Sequence, residues 1–269
     1  MLNLNQAIID KVLEITYQAG KHLQDFYARS VEIQIKEDQT PVTEADLFIS
    51  QFMIENLKLL TPKIPVLSEE ASKIPLSERS QWQQYWIIDP LDGTQQFIDR
   101  TDQFSIMISF VQNSQPIFGI IHSPILDKTY VALKGNGAYL IKNGQKINLT
   151  KNSKDPAESH RLLITTGSSN RKITKNVHNA YQVELLVYGS SSLKAGLVAE
   201  GKADCYVRLG DTGEWDTAAA EVLLAETGGK IFDIDFQPLT YNQRETLINP
   251  HFVMVGNKAI DWQAIFHFN

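Results

Sequence analysis

Cysteine is nearly absent: Cys205 is the single one in 269 residues, so no intrachain disulfide can form. That economy fits a reducing cytoplasm. Basic residues are also in deficit, 25 Lys and Arg against 31 Asp and Glu, for a formal charge of −6. Such a chain lacks the positive surface that general affinity for nucleic acid polymers needs. A phosphorylated small molecule is not excluded, because a bound metal inverts the local charge. No apolar run approaches the roughly 20 residues that span a bilayer. Met1 to Gly20 carries Asp10 and Glu14 among its apolar residues and lacks the basic-then-apolar pattern of a secretory leader. The expectation is a soluble, intracellular protein. Any contact with the cytoplasmic face of an inner membrane would be peripheral, since no anchor is visible.

Several site signatures are missing too. His22, His122, His160, His178, His251 and His267 are scattered without zinc-ligand spacing. Ser190-Ser191-Ser192 has no Gly-x-Ser-x-Gly setting. No Gly-x-x-x-x-Gly-Lys-Ser/Thr loop and no clear Gly-x-Gly-x-x-Gly turn occurs, so nucleoside triphosphate or NAD binding has no direct support. Cys205 sits in a strand-like segment and reads as a core residue. No repeat or low-complexity tract appears.

What is present points to an ordered, sizeable core, with 43% hydrophobic and 21% charged residues. The length suits one large domain or two packed subdomains. Leu4, Ile8, Val12 and Ile15 follow helical spacing and predict a helix to about Tyr27. Val31, Ile33 and Ile35 alternate with polar residues, as in a strand. Thr43 opens a second helix carrying Leu47, Phe52, Ile54 and Leu57. Strand-like stretches follow at Trp86–Ile88, Ser105–Val111, Ile117–Ile121 and Thr129–Leu133, then a hairpin over Tyr139–Leu149 with Asn143-Gly144 at its turn. Beyond about Lys151, strand-like Leu162–Thr165, Val183–Val187, Cys205–Arg208 and Lys230–Phe232 alternate with helical Ser191–Glu200 and Glu214–Glu226, the last stopped by Gly228-Gly229. The expectation is an α/β protein with an α+β N-terminal half, 1–150, and an α/β C-terminal half, 151–269, with the polar Lys151–His160 stretch between them.

The strongest local signal is Trp86-Ile87-Ile88-Asp89-Pro90-Leu91-Asp92-Gly93-Thr94. Three apolar residues make a buried strand, which Pro90 is expected to stop because it fixes its own φ and has no N–H. Asp89 and Asp92 can then turn toward one point. Hard divalent cations take such oxygen ligands, magnesium typically one or two carboxylates with phosphate and water. Gly93 admits a ligand close to the backbone, and the Gly93 and Thr94 amides could meet a phosphate oxygen if a helix starts there. Asp, Pro and Gly are equally good turn formers, so these residues alone leave turn and metal site open. The same holds elsewhere. Glu69-Glu70, after Ile64-Pro65-Val66, reads as ligand or solvated loop. Asp216 reads as ligand or helix-dipole partner, with small residues behind it that would let the helix pack closely on another element. Thr43-Glu44-Ala45-Asp46 resembles a capping box.

These pieces in this order resemble the inositol monophosphatase superfamily of metal-dependent, lithium-sensitive phosphatases. The matching runs are Trp86 to Thr94, Trp215-Asp216-Thr217-Ala218-Ala219, Ser68-Glu69-Glu70 and Val42-Thr43-Glu44-Ala45-Asp46. The resemblance covers nearly the whole chain and implies a layered αβαβα sandwich. It implies that Glu69, Asp89 and the Leu91 carbonyl hold one magnesium, that Asp89, Asp92 and Asp216 hold a second, and that a third, weaker ion sits near Glu69. It places Asp46 and Thr94, with Glu69, around the attacking water. Substrate would touch Glu69, Leu91, Asp92, Gly93, Thr94, Ser190, Lys194 and Asp216. Dimers are frequent in the superfamily, but the branch described next is often monomeric, which favours a monomer over a homodimer.

Within the superfamily, Pro65-Val66-Leu67-Ser68-Glu69-Glu70, Asp92-Gly93-Thr94 followed by Phe97-Ile98, and Ser191-Ser192-Leu193-Lys194 are most similar to the CysQ-type 3′(2′),5′-bisphosphate nucleotidase branch. That implies hydrolysis of adenosine 3′,5′-bisphosphate to AMP and phosphate, which clears a by-product of sulfate activation. Lys194 matches a nucleotide-contacting lysine of the branch and also reads as a solvated helix lysine. Two stretches depart from the branch. Gln95-Gln96 stands where Lys-Glu or Lys-Gly is common, and Thr166-Gly167-Ser168-Ser169 replaces a Ser-Arg-Ser-His stretch. The alternatives are an inositol or other sugar-phosphate phosphatase and a catalytically silent nucleotide-binding protein. The retained set Asp46, Glu69, Asp89, Asp92, Thr94 and Asp216 argues against the silent one.

Overall fold

The computed structural model describes residues 2–36, 39–167 and 171–268. Helix α1 (Gln6–Tyr27) starts at Asn5, whose side chain accepts from the Ile8 N–H. Its helical stripe Ile9, Val12, Ile15, Ala19 and Leu23 is buried. A ribbon of β1 (Ile33–Ile35) and β2 (Pro41–Thr43) follows, and then α2 (Glu44–Leu60). The alternation at Ile33 and Ile35 does mark a strand, but these side chains are 50% and 62% exposed. The strand pairs only with β2 in a two-stranded ribbon.

The larger sheet has seven strands in chain order: β3 (Val66–Ser68), β4 (Gln84–Asp92), β5 (Ser105–Gln112), β6 (Gln115–Ser123), β7 (Lys128–Leu133), β8 (Gly137–Lys142) and β9 (Gln145–Leu149). Only β3 and β4 are parallel; the rest is an antiparallel meander. Asn143 and Gly144, at φ 51° and 70°, make the expected β8–β9 turn. Pro90 does not stop its strand. β4 runs on to Asp92, and the register slips between Asp89, opposite Met107, and Asp92, opposite Ser105. Pro90 and Leu91 thus bulge out of the ladder, the setting in which a strand tolerates a residue without an N–H. Helix α3 (Thr94–Ile98) begins directly after the bulge.

The smaller sheet has the order β11–β10–β12–β14–β13, with β10 (Arg161–Thr166), β11 (Gln182–Val187), β12 (Cys205–Arg208), β13 (Lys230–Asp233) and β14 (Phe252–Val255). β10 is parallel to β11 and β12, while β14 runs antiparallel to β12 and β13. Helices α4 (Ser191–Ala199) and α5 (Trp215–Glu226) lie between the two sheets. The first core joins α1 and α2 to one face of the large sheet. A second fills the space from the other face, through α4 and α5, to Tyr206, Ile231, Phe252 and Met254 of the small sheet. A third covers Cys205, Val207, Val253 and Val255 with Ile173 and the helical turn Trp262–Ile265. The result is the five-layered αβαβα stack that the family resemblance implied, with Cys205 in the core.

α5 sets the geometry of the site. Its small residues do allow close packing: a Cβ on Gly119 of β6 would lie 2.7 Å from the Ala219 carbonyl oxygen. The helix ends at Gly228, whose φ of 90° suits glycine, and the Gly229 N–H donates back to the Leu224 carbonyl. Among the described residues no helix is long and apolar enough to cross a membrane.

Candidate active site

The β4 bulge and the first turn of α5 bring three carboxylates together. Asp89, Asp92 and Asp216 each offer an oxygen within 4.8 Å of the others. Burial, and then Glu69, Asp92 and Asp216, push the Asp89 carboxyl well above the ordinary range. Burial, Asp92 and Glu69 do the same to Asp216. Each is anchored locally: Asp89 Oδ1 accepts the Leu91 N–H at 3.0 Å, and Asp216 Oδ2 accepts the Gly213 N–H at 2.6 Å. Buried acids that crowd and repel form a hard oxygen-donor set, and the donor chemistry fits a divalent cation. The helix-start reading of Asp216 is locally true, whereas Asp89 to Asp92 form a bulged strand end and not a turn; both place carboxylates in this cluster.

Asp92 is also held across the molecule by the start of α4. Its Oδ2 accepts from Ser190 Oγ at 2.5 Å, Ser192 Oγ at 2.5 Å and the Ser192 N–H at 2.8 Å, and its Oδ1 from the Ser191 N–H at 3.1 Å. Ser190 sits at φ 52°, ψ 133°, a strained backbone for a residue with a side chain. Lys194 supports that turn by donating to the carbonyls of Ser190 at 2.6 Å and Tyr188 at 3.2 Å. It is therefore not a solvated helix lysine. It is 3% exposed and lies over the Tyr206 ring, and burial lowers its pKa to about 8.

Asp46 has a double role. Its Oδ2 accepts the Thr43 N–H at 2.7 Å and Thr43 Oγ1 at 2.5 Å, completing the capping box. Its Oδ1 accepts Thr94 Oγ1 at 3.0 Å. Thr94 Oγ1 also lies 3.2 Å from the Leu91 carbonyl. Burial is the main force raising the Asp46 carboxyl to about 6. Gly93 caps α3 at φ 97°, and a Cβ there would stand 3.1 Å from the Gln103 carbonyl oxygen. Glu69 lines the same cleft, but its Oε1 accepts from Lys36 Nζ at 2.7 Å, outside the tight trio. Lys36 also donates to Glu70 at 2.7 Å. Burial alone would lower Lys36, yet the two glutamates raise it. Burial holds Glu69 at about 7 despite that partner.

Residues 5–262 match the model of the inositol monophosphatase family. The chain belongs to the inositol monophosphatase family. It is 56% identical, over 100% of both chains, to the 3′(2′),5′-bisphosphate nucleotidase CysQ of Haemophilus influenzae. It is similar to the crystal structure of CysQ from Bacteroides thetaiotaomicron, with TM-score 0.75 and 30% identity, covering 94% of this chain and 98% of that one. A family structure described as an IMPase/NADP phosphatase complexed with Mg2+ and phosphate shares the fold at TM-score 0.79 and 19% identity, covering 98% of this chain and 99% of that one.

The inositol monophosphatase fold leaves one cleft of about 520 Å³ over these residues. Glu69, Asp89, Leu91, Asp92, Gly93, Thr94, Ser190, Lys194 and Asp216 all line it, and Asp46 stands behind Thr94. Of the two stretches that depart from the branch, Gln95 lines the cleft and bonds Asp99, while Gln96 packs under Gly189, where a Cβ would lie 2.5 Å from its Cγ. Thr166 and Gly167 line the cleft; Ser168 and Ser169 lie outside the described residues. Sequence reasoning missed Lys36, Tyr206 and Arg208. A charged residue closing an otherwise apolar strand, as in Cys205-Tyr206-Val207-Arg208, is the one local sign that could have marked the last.

Proposed function

We propose that this chain is a magnesium-dependent 3′(2′),5′-bisphosphate nucleotidase that converts adenosine 3′,5′-bisphosphate to AMP and phosphate. The observation that carries the reading is the Asp89, Asp92 and Asp216 cluster standing in one cleft with the Asp46–Thr94 hydrogen bond. Identity to the Haemophilus influenzae nucleotidase over the full chain supports the substrate class.

Asp89, Asp92 and Asp216, with Glu69 and the Leu91 carbonyl, would hold two magnesium ions, and a third would lie near Glu69. When bound, magnesium lowers the charge barrier between an anionic ester and its nucleophile and activates water. The remaining work falls to the chain. Thr94 Oγ1, donating to Asp46, is left with acceptor capacity toward the cleft and orients the attacking water. The proton passes through the hydroxyl to Asp46, whose carboxyl near 6 suits a base at neutral pH. Glu69 assists from the rim. The Gly93 and Thr94 amides, Ser190 and Lys194 position the ester. In this reading the 1–150 subdomain supplies most ligands, the 151–269 subdomain supplies Asp216 and substrate contacts, and the enzyme acts as a cytoplasmic monomer.

A panel of adenosine 3′,5′-bisphosphate, inositol 1-phosphate and other sugar phosphates, assayed with magnesium and after thorough chelation, tests this. The expected result is preferred hydrolysis of the bisphosphate that stops on chelation. Preference for inositol 1-phosphate overturns the substrate, and activity that survives chelation overturns the metal reading.

A further inference from the structure

Asp216 is the last carboxylate of the cluster in chain order, and a backbone N–H aims it. Its Oδ2 accepts the Gly213 N–H at 2.6 Å. Gly213 has no side chain to hold it in place, and none would fit, because a Cβ would lie 2.1 Å from Trp215 Cε2. A glycine is free to turn both of its peptide planes. An N–H of this kind directs a carboxylate only if those planes are anchored from elsewhere.

Asn249 supplies that anchor twice. Its own N–H donates to the Thr212 carbonyl at 2.8 Å, the other end of the peptide whose N–H reaches Asp216. Its side-chain Nδ2 donates to the Gly213 carbonyl at 2.6 Å, in the next peptide, and to Thr217 Oγ1 at 3.1 Å in the first turn of α5. Both amide hydrogens are thus spent on the segment that presents Asp216. Asn249 is 4% exposed and does not line the cleft. It is held in its turn by Arg244. Nη2 of Arg244 donates to Asn249 Oδ1 at 3.3 Å and to the buried Glu214 carboxylate at 3.3 Å, while Nη1 donates to the Ile248 carbonyl at 2.8 Å. Buried Arg79 donates to the Arg244 carbonyl at 2.7 Å. The 242–249 segment is thereby strapped along residues 212–217, with Gly213 and Ile248 bridged antiparallel. Groups behind a metal ligand set its direction, and losing one typically weakens metal binding about 10- to 100-fold.

We infer that Asn249 is the positioning residue for Asp216: its amide fixes the Gly213 peptides, and through them the direction of the Asp216 carboxylate. This rests on the magnesium reading of the cluster and goes beyond it by naming a residue outside the cleft on which metal affinity depends. Asn249 acts through Asp216, from behind the cleft, and is not itself a catalytic residue.

The test measures magnesium binding by titration calorimetry, together with Tm in chelator, for the native chain, Asn249→Ala and Asn249→Ser. The native chain is expected to bind magnesium. Asn249→Ala is expected to raise the magnesium Kd about 10-fold, the lower end of the range because Asn249 acts one bond further out than a direct partner of the ligand. Asn249→Ser, which is shorter but keeps one O–H donor, should lie between the two. A native chain that binds no magnesium overturns the metal reading and this inference together. Native binding with a Kd that Asn249→Ala shares within about threefold overturns the Asn249 assignment alone. A lower Tm in chelator with an unchanged Kd identifies a merely structural asparagine and overturns it in the same way. If Asn249→Ala does not fold, Asn249→Ser decides: the inference fails unless its Kd exceeds the native value.

Discussion

Asp89→Asn is the most revealing perturbation of the carboxylate cluster, because structure and function pull it in opposite directions. Asp89 is 1% exposed and shares its site with Asp92 and Asp216, oxygens within 4.8 Å of one another. At that separation two full charges repel by about 3.5 kcal/mol at an effective dielectric of 20. Protonation relieves part of this in the metal-free protein, since burial and the neighbouring carboxylates already hold Asp89 well above its usual range. Asparagine keeps the shape and keeps an oxygen for the Leu91 N–H, but removes the charge. We expect the metal-free variant to be about 1–3 kcal/mol more stable than the metal-free native chain. At about 2–4 °C per kcal/mol for a chain of this size, that is a rise of about 2–12 °C in Tm. Magnesium reverses the order. It should stabilise the native protein by about 2.7 kcal/mol at a hundredfold excess over Kd and leave the variant almost unmoved. Melting curves in chelator and in a magnesium series measure both effects, with bisphosphate hydrolysis lost in the variant. A variant that melts below the native chain in chelator, or keeps the native magnesium response, refutes the idea that this cluster is repulsive by design and relieved by metal.

Thr94→Val preserves volume and deletes the hydroxyl that bonds Asp46. It should lower kcat about 10²- to 10⁴-fold with little change in KM, and a kcat within threefold of native would remove Thr94 from the proton path. His122 is buried against Gly20 with its ring bonded to Thr129, and burial lowers its pKa to about 4 from 6.5. The neutral ring is native and the unfolded chain protonates first, so its contribution is complete above pH 6.5 and declines as pH falls toward 4, by about 2 kcal/mol at pH 5. Urea titrations from pH 7 to 5 should show that decline, and His122→Asn should flatten it; an unflattened profile would trace it to other groups. Gly119→Ala forces a Cβ into the α5 backbone and should cost about 1–3 kcal/mol, read as a lower Tm, whereas a native Tm would mean that the helix shifts freely.

Local chemistry was legible wherever one segment carried its whole signal. The α1 stripe, the Thr43–Asp46 box, the Asn143-Gly144 turn and the Gly228 stop all depend on neighbours in the chain. β14 was missed because Phe252–Val255 is a short run buried on both faces, with no alternation to read. Ile33 and Ile35 show the converse, a correct strand whose apolar side no layer of the stack covers. At Pro90 the rule that proline ends a strand gave way to a bulge, visible only with Met107 and Ser105 opposite. Within the site, Asp89 to Thr94 declared itself, but its company did not. Glu69 and Asp216 reach the cleft, and Asp46 the Thr94 hydroxyl in front of it, from distant parts of the chain, and only family resemblance linked them before the fold was seen. Arg208 had no motif; only the fold brings it to the cleft beside Lys194 and Tyr206.

The clamp on Asp92 has a consequence for how the molecule comes into being. The acceptor lies early in the chain and its donors, Ser190 to Ser192, about a hundred residues later; Asp216 arrives later still. During synthesis the emerging N-terminal portion displays Asp89 and Asp92 with neither the serine donors nor the last carboxylate available. On the proposed reading, a metal site whose last carboxylate is Asp216 would be complete only once the last layers have closed. Non-local assembly of this kind is slow to nucleate, and on that reading metal occupancy would report on whether the whole protein has folded.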